Sequence, residues 1–316
     1  MSKMHAAVVT SFAEPPHYRA VDTPQAADGE QFVVDVVAVG LHPRVRTGAA
    51  GKHYTSTGGL PMIPGIDAVG RRADGRLIYF VADDDAIGTM AEQALVDPRR
   101  AIELPGGADA AKVAAAMNPA MSSWVALRRR VPLEPGQSVL VLGATGNAGA
   151  MAVQVAKRLG AGRVIGAGRD PGRLEALTGA DEVVQLTDGA EAVGAAAAEV
   201  DLVIDYVWGS PAQQTMTALL TARSEPSREL NWIQIGAMAG PTIGLPSALL
   251  RSANFRLQGN GQGAVSPRDY LAELPALVDE ICAGTIAVTT RTRPLAGVEA
   301  AWTEPDEPGM RTVLLP

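Results

Sequence analysis

SVLVLGATGNAGAMAVQVAKRLGAGRVIGAGRD, residues 138–170, is the stretch whose reading decides the fold. It opens on SVLVLGA (138–144), a continuous apolar run of the length expected for a strand buried on both faces. Next, NAGAMAVQVAKRLG (147–160) places Ala148, Met151, Ala152, Val155, Ala156 and Leu159 on one helical stripe, with Gly160 as a stop. RVIGAG (163–168) then reads as a second strand. The joint between strand and helix is ATGNAG (144–149), with Gly146 and Gly149 at the second and third glycine positions of G-x-G-x-x-G and Ala144 at the first. The second glycine lets backbone approach a pyrophosphate, and the third lets helix and strand pack closely. The helix N-terminus adds unpaired N–H groups and the positive end of a dipole. Strand, loop, helix and strand in order over about 30 residues turn a weak motif into an expectation of dinucleotide binding. Ala144, Thr145, Gly146, Asn147, Ala148 and Gly149 are the candidate contacts.

The second strand lacks its usual ending. An acid that holds the ribose hydroxyls is expected about 20 residues after the loop. That place falls on Gly168, followed by Arg169. A carboxylate there would repel a phosphate. Glycine removes the charge and opens space, and the planar fork of Arg169 suits a phosphate monoester. Arg173 offers a second cation, while the acidic Asp170 complicates the pattern. The expected cofactor is therefore NADP(H) rather than NAD(H).

Outward from this stretch, strands and helices keep alternating. PGRLEALTG reads as a helix, DEVVQL (181–186) as a strand, and 189–199 as a helix. DLVIDYV (201–207) is a strand, SPAQQTMTALLTAR (210–223) a helix, and NWIQIGA (231–237) and FRLQGN (255–260) are strands. This is the pattern of an α/β protein with a doubly wound parallel sheet. The first third reads differently. AAVVTSF (6–12), QFVVDVVAVGL (31–41) and GRLIYFV (75–81) are valine-rich strand candidates, and Pro and Gly punctuate 43–75 as turns and loops. SSWVALRRRV (122–131) is a helix candidate between the two regions.

Composition bounds the rest. The 316 residues leave room for about two domains, and 47% hydrophobic with 19% charged residues suits a well-buried globular chain. A net charge of −7 with no basic block argues against nucleic acid and anionic membrane surfaces as partners. No apolar run approaches the ~20 residues that span a bilayer. MSKMHAAVVTSF lacks the apolar core of a secretory signal. The single Cys282 makes no internal disulfide, so a reducing cytoplasm is expected, with Cys282 a small buried hydrophobe.

The run GQSVLVLGATGNAGAMAVQVAKRLGAGRVIGAGRD (136–170) resembles the cofactor half of the medium-chain dehydrogenase/reductases. It is most similar to their zinc-independent branch, the quinone oxidoreductases of the zeta-crystallin type. LPMIPGIDAVG (60–70) is similar to the family's P-x-x-P-G-x-D/E-x-x-G segment. VGLHPRVRTG (39–48), NPAMSSWVAL (118–127) and RTRPLAGVEAAWTEPDEPGMRTVLLP (291–316) resemble its first loop, its interdomain helix start and its C-terminal return. The resemblance implies a GroES-like β domain at 1–119 completed by 261–316, a Rossmann cofactor domain at 120–260, and a substrate cleft between them. It also implies a homodimer joined through the edge strand FRLQGN.

The positions where zinc-dependent relatives carry a Cys and a His hold His42, or a neighbour, and Ile66. No metal is expected. Without zinc, and without a Tyr-x-x-x-Lys pair, an alkoxide would lack stabilisation. The acceptor must then bring its own electron sink, as a quinone or an α,β-unsaturated carbonyl does. The resemblance places Ser122 near the nicotinamide and pyrophosphate, and Gly236 where backbone meets the carboxamide. His42, Tyr54 and Asn118 are the candidate substrate contacts or proton donors, Ser122 reading alternatively as a helix N-cap and Asn118 as a turn residue. The family's first-loop tyrosine and asparagine align with Thr47 and His42. The expected function is NADPH-dependent reduction of a quinone or similar activated carbonyl. A second enzymatic reading is an enoyl or 2-alkenal reductase. A reading of another class is a non-catalytic NADPH-binding sensor or interaction protein, which the altered His42 and Thr47 would suit.

Overall fold

The computed structural model describes residues 2–26, 31–56, 58–82, 87–305, 307 and 309–316. The chain divides into two compact units, one made of residues up to Asn118 together with Leu274–Pro316, the other of Pro119–Glu273.

The first unit begins with β1 (Lys3–Val8) paired antiparallel to β2 (His17–Asp22). Its spine is β3 (Phe32–Leu41), where Val34, Val36, Val39 and Leu41 are all buried. β4 (Asp67–Arg71), β5 (Leu77–Val81), β6 (Gln93–Val96) and β7 (Ala101–Glu103) extend the sheet around it. The interval 43–75 was expected to be turns and loops, but it holds β4 and the helix α1 (Pro43–Ala49). Pro43 occupies the first helical position, where its missing N–H costs nothing and its fixed φ favours a helix start. The proline taken as punctuation thus opens an element.

α2 (Ala110–Val125) follows, continued by a π-helical turn over Ala126–Arg130. The expected helix at 122–131 therefore starts at Ala110 and runs through Pro119. A proline inside a helix removes one hydrogen bond and normally breaks it. Here Ala115, Ala116, Met117, Ala120 and Met121 are all buried, and that packing outweighs the local penalty.

The second unit is a six-stranded parallel sheet: β8 (Ser138–Leu142), β9 (Arg163–Gly168), β10 (Glu182–Gln185), β11 (Leu202–Asp205), β12 (Leu230–Gln234) and β13 (Phe255–Gly259). The spatial order is β10-β9-β8-β11-β12-β13. Counted within this unit, that is 3-2-1-4-5-6, the doubly wound order whose direction reverses beside the first strand. Residues 139–142 of β8 are fully buried, as an inner parallel strand requires. α3 (Asn147–Arg158), α4 (Pro171–Glu175), α5 (Ala190–Ala196), α6 (Gly209–Ala222) and α7 (Ser247–Ser252) fill the connections. Leu140, Ile165, Val203, Met216, Leu219 and Trp232 lie in its core.

α8 (Pro267–Ala283) begins in the second unit and ends in the first. The boundary between the two compact units lies at 273/274. Residues 261–273 stay with the parallel sheet because Arg130 donates to the carbonyls of Gly259 and Ala264, while Arg128 and Arg129 pair with Glu273. β14 (Thr289–Pro294), α9 (Val298–Thr303) and β15 (Met310–Leu315) complete the first unit, β15 pairing with β3. Cys282, expected to be buried, is exposed in the last turn of α8.

Candidate functional site

The carboxyl ends of β8, β9, β11 and β12 assemble one site in the second unit. β8 ends at Leu142, and Gly143 turns the chain with φ +86°. The N–H groups of Gly143 and Ala144 both donate to the Ala167 carbonyl at 2.9 Å, tying the loop to β9. Gly146, which has no side chain to cap with, is the N-cap of α3. The first N–H groups of a helix have no intrahelical acceptor, so this end presents donors and a positive dipole to an anion. A Cβ at Gly149 would lie 2.1 Å from the Gly143 oxygen, so the helix approaches the turn as closely as glycine permits. Ala144, Thr145, Gly146, Asn147, Ala148 and Gly149 therefore form one cradle.

β9 ends beside it at Gly168. Asp170 caps α4: its Oδ1 accepts the Arg173 N–H at 2.9 Å. Arg173 Nε lies 3.8 Å from Asp170 Oδ2, so the second candidate cation is paired within its own helix. Arg169 is exposed, and its side chain makes no hydrogen bond or ion pair among the described residues. The acid and the cations that share this short segment are sorted by the fold: one carboxyl group and one guanidinium serve α4, and the other guanidinium is left outward.

The turn after β11 holds a residue that the sequence reading passed over. Tyr206 is 9% exposed, and its hydroxyl lies 2.9 Å from Ser122 Oγ. Ser122 Oγ donates its one hydrogen to the Pro119 carbonyl at 2.8 Å, so Tyr206 is the donor to Ser122. Burial pushes the Tyr206 phenol up to about 12, against the hydrogen bonds of Ser122 and Ser123. The same residue touches both neighbouring strand ends. A Cβ at Gly143 would sit 3.3 Å from Tyr206 Cβ, and one at Gly236 would sit 2.7 Å from the Tyr206 backbone carbonyl oxygen. Gly236 is thus required where the ends of β11 and β12 meet. Ser122 is interior to α2, not an N-cap, and its carbonyl accepts from Asn260 Nδ2 at 2.8 Å. The signal for Tyr206 was a lone phenol at the end of an aliphatic strand, which local patterning reads only as strand.

Asp205, just before it, is fully buried. Its Oδ1 accepts the N–H groups of Val207 at 2.8 Å and Trp208 at 2.9 Å, and Oδ2 accepts Trp232 Nε1 at 3.0 Å. Burial raises the carboxyl group, with those donors opposing. They hold a strained turn, since Trp208 has φ +51° and ψ −162°, a backbone region used almost only by glycine.

The remaining candidates lie in the first unit. His42 is 3% exposed and its Nε2 faces Asp67 Oδ1 at 3.2 Å. Tyr79 OH donates to Asp67 Oδ2 at 2.9 Å. Burial lowers the imidazole, further lowered by Arg311 and Arg44, and Asp67 does not offset it. His42 is therefore a neutral, enclosed imidazole donating to Asp67. Tyr54 is 72% exposed and its ring lies tilted at 34° to that of His53, with centroids 4.4 Å apart. Asn118 is half-buried in α2, not in a turn, and makes no side-chain hydrogen bond among the described residues. A cavity of about 450 Å³ in this unit is lined mainly by apolar groups, including Phe12, Val45, Pro61, Met62 and Ile87. Among the described residues, no group of three or more His, Cys, Asp or Glu side chains is placed to hold a metal ion. No helix of the described residues is long and apolar enough to cross a membrane.

The chain is similar to known proteins along most of its length. The chain is 32% identical over 360 aligned positions to "Probable NADPH-dependent quinone reductase tdiC" of Emericella nidulans, covering 99% of this chain and 100% of that one. It is 33% identical over 163 residues to the quinone oxidoreductase of Lama guanicoe, covering 48% of this chain and 49% of the relative. The solved quinone oxidoreductase of Thermus thermophilus, also described in complex with NADPH, matches with TM-score 0.79 at 26% identity, over 99% of this chain and 100% of that one. No protein-family model matches the chain.

Proposed function

Since the chain belongs to the quinone oxidoreductase branch of the medium-chain dehydrogenase/reductase superfamily, we propose that it is an NADPH-dependent oxidoreductase that reduces a quinone or similarly activated carbonyl without zinc. The observation that carries this reading is the pairing of Gly168 with an exposed, uncommitted Arg169 at the strand end beside the phosphate cradle. The residues fit the cofactor: glycine leaves the backbone bare at Gly146, Gly168 puts no carboxylate at the strand end, the N-terminus of α3 faces the loop, and Arg169 matches a phosphate monoester.

When bound, the reduced nicotinamide supplies hydride. The chain's own residues hold and orient. The first turn of α3 takes the pyrophosphate, Arg169 the ribose phosphate, and the Gly236 backbone the carboxamide. Ser122 is fixed by Pro119 and Tyr206 and presents a defined edge of α2. A strong proton donor is not among these groups. Tyr206 is held protonated by burial and His42 is neutral and enclosed. An acceptor that spreads incoming charge onto its own oxygen needs neither a Lewis acid nor such a donor. The apolar cavity of the first unit suits a flat, apolar, electrophilic substrate. On the same reading two chains join along the outer edge of β13, in the cytoplasm.

The test is loss of nicotinamide absorbance with a panel of quinones and enones, run with NADPH and with NADH. Turnover of quinones with NADPH preferred supports the proposal. NADPH binding with no turnover of any acceptor overturns the enzymatic reading.

A further inference from the structure

Gly168 ends β9 where an acid is absent. Its surroundings show why an acid is absent. A Cβ built on Gly168 would stand 2.4 Å from Thr145 Cγ2 and 2.8 Å from Thr145 Oγ1. Real Cβ atoms do not approach heavy atoms that closely. Leu174 Cδ2 closes the other side at 3.2 Å, but it is the end of a flexible chain and yields readily. Thr145 does not. Its Cβ offers three staggered positions, and two of them face Gly168. Rotation about χ1 brings the single hydrogen to one of the two and leaves a heavy atom in the other. Nor can the loop withdraw, because the N–H groups of Gly143 and Ala144 hold it to the Ala167 carbonyl, next to Gly168.

We propose that Thr145 is a specificity-determining residue: its branched side chain occupies the space that a ribose-binding carboxylate at 168 would need, and so locks the site to the phosphorylated cofactor. The proposal rests on NADPH binding in this cradle and goes beyond it. Arg169 supplies the charge for the phosphate, and a shape element in the phosphate loop keeps a competing carboxylate out of 168. Placing an acid at 168 is then insufficient to admit NADH. The acid has nowhere to stand until Cγ2 and Oγ1 of residue 145 are gone.

The test compares the unaltered chain with Gly168→Asp and with Thr145→Ala/Gly168→Asp, measuring dissociation constants for NADPH and NADH from nicotinamide fluorescence. Gly168→Asp alone is expected to weaken both cofactors by roughly tenfold or more, through overpacking of the turn. The double variant is expected to bind NADH roughly tenfold more tightly than Gly168→Asp does, with NADPH still weak through charge repulsion. Gly168→Asp binding NADH as well as the double variant does would overturn the role of Thr145. A charge-free pair keeps the contact testable if the aspartate variants fail to fold. Gly168→Ala should lower the unfolding midpoint, and Thr145→Ala/Gly168→Ala should recover most of the loss. Additive losses in that pair would also overturn the proposal. An unaltered chain that binds no NADPH would defeat the functional reading itself, whereas tight NADPH binding with a tolerant Gly168→Asp would defeat the steric inference alone.

Discussion

Asp170 Oδ1 accepts the Arg173 N–H at 2.9 Å, and Arg173 Nε lies 3.8 Å from Asp170 Oδ2, so the acid nearest the ribose position is committed to capping α4. The consequence concerns its neighbour. A free carboxylate beside Arg169 would neutralise it; a capping one leaves it to a ligand.

Arg169→Ala should therefore weaken NADPH binding by ~1–3 kcal/mol, the range for a lost hydrogen bond to a charged group. NADH binding should barely change, because it has no phosphate for Arg169 to hold. Titration of both cofactors against the variant checks this. Equal losses for the two would remove Arg169 from the phosphate site.

Tyr206 and Ser122 are 84 residues apart in sequence and share one hydrogen bond at 2.9 Å. Tyr206→Phe should cost roughly 0.5–1.5 kcal/mol, since the Ser122 oxygen loses its donor inside the protein. Ser122→Ala should cost a similar amount, and the double variant less than the sum, because both remove one interaction. Urea unfolding with an unchanged denaturant slope is the appropriate measurement. Strict additivity would mean that the contact contributes nothing.

Much of this arrangement was legible before the fold was known, and the part that was not shares one cause. The apolar run 138–144, the glycines at 146 and 149 and the missing acid at 168 are local signals, and each landed on the element expected of it. Tyr206 acts through a partner distant in sequence, so no local pattern marks it; the loop motif marks Thr145 as a cofactor contact, but its closeness to Gly168 appears only in the fold. Pro43 was read as punctuation, and the helix that contains Pro119 was expected to start only at 122. One starts a helix and the other is carried through a helix by burial. α8, with Pro275 inside it, has no counterpart among the elements expected from the sequence.

His42 gives a pH dependence with a definite sign. Burial holds the folded imidazole below its ordinary value, while the unfolded one titrates near ~6.5. As pH falls below that value, the unfolded chain binds a proton that the folded chain refuses. The stability contributed by the neutral His42 is thus complete above the unfolded value and is lost as pH falls toward the folded one. Relative to His42→Gln, the unaltered chain should lose at most about 1.4 kcal/mol per pH unit over that window. Parallel stability–pH curves for the two proteins would show that His42 does not titrate differently on folding.

Glu273 is 2% exposed and receives the side chains of Arg128, Arg129 and Trp124, with Arg129 Nε at 2.5 Å and Trp124 Nε1 at 3.2 Å. Burial alone would raise this carboxyl group; the hydrogen bonds and charges of Arg128 and Arg129 together outweigh it and hold it below the usual range. Both arginines stand on the π-helical turn Ala126–Arg130, so the carboxylate fixes the end of α2 against the start of α8. Glu273→Gln keeps the shape and removes the charge. It should lower stability at neutral pH by roughly 1.5–3 kcal/mol, the value of hydrogen bonds to a charged group. Since the folded group is depressed, its contribution is present above the unfolded Glu value and disappears as pH falls through the folded one. The two proteins should therefore differ most near neutrality and converge in acid. A difference that persists unchanged into acid would assign the effect to packing of the side chain and not to its charge.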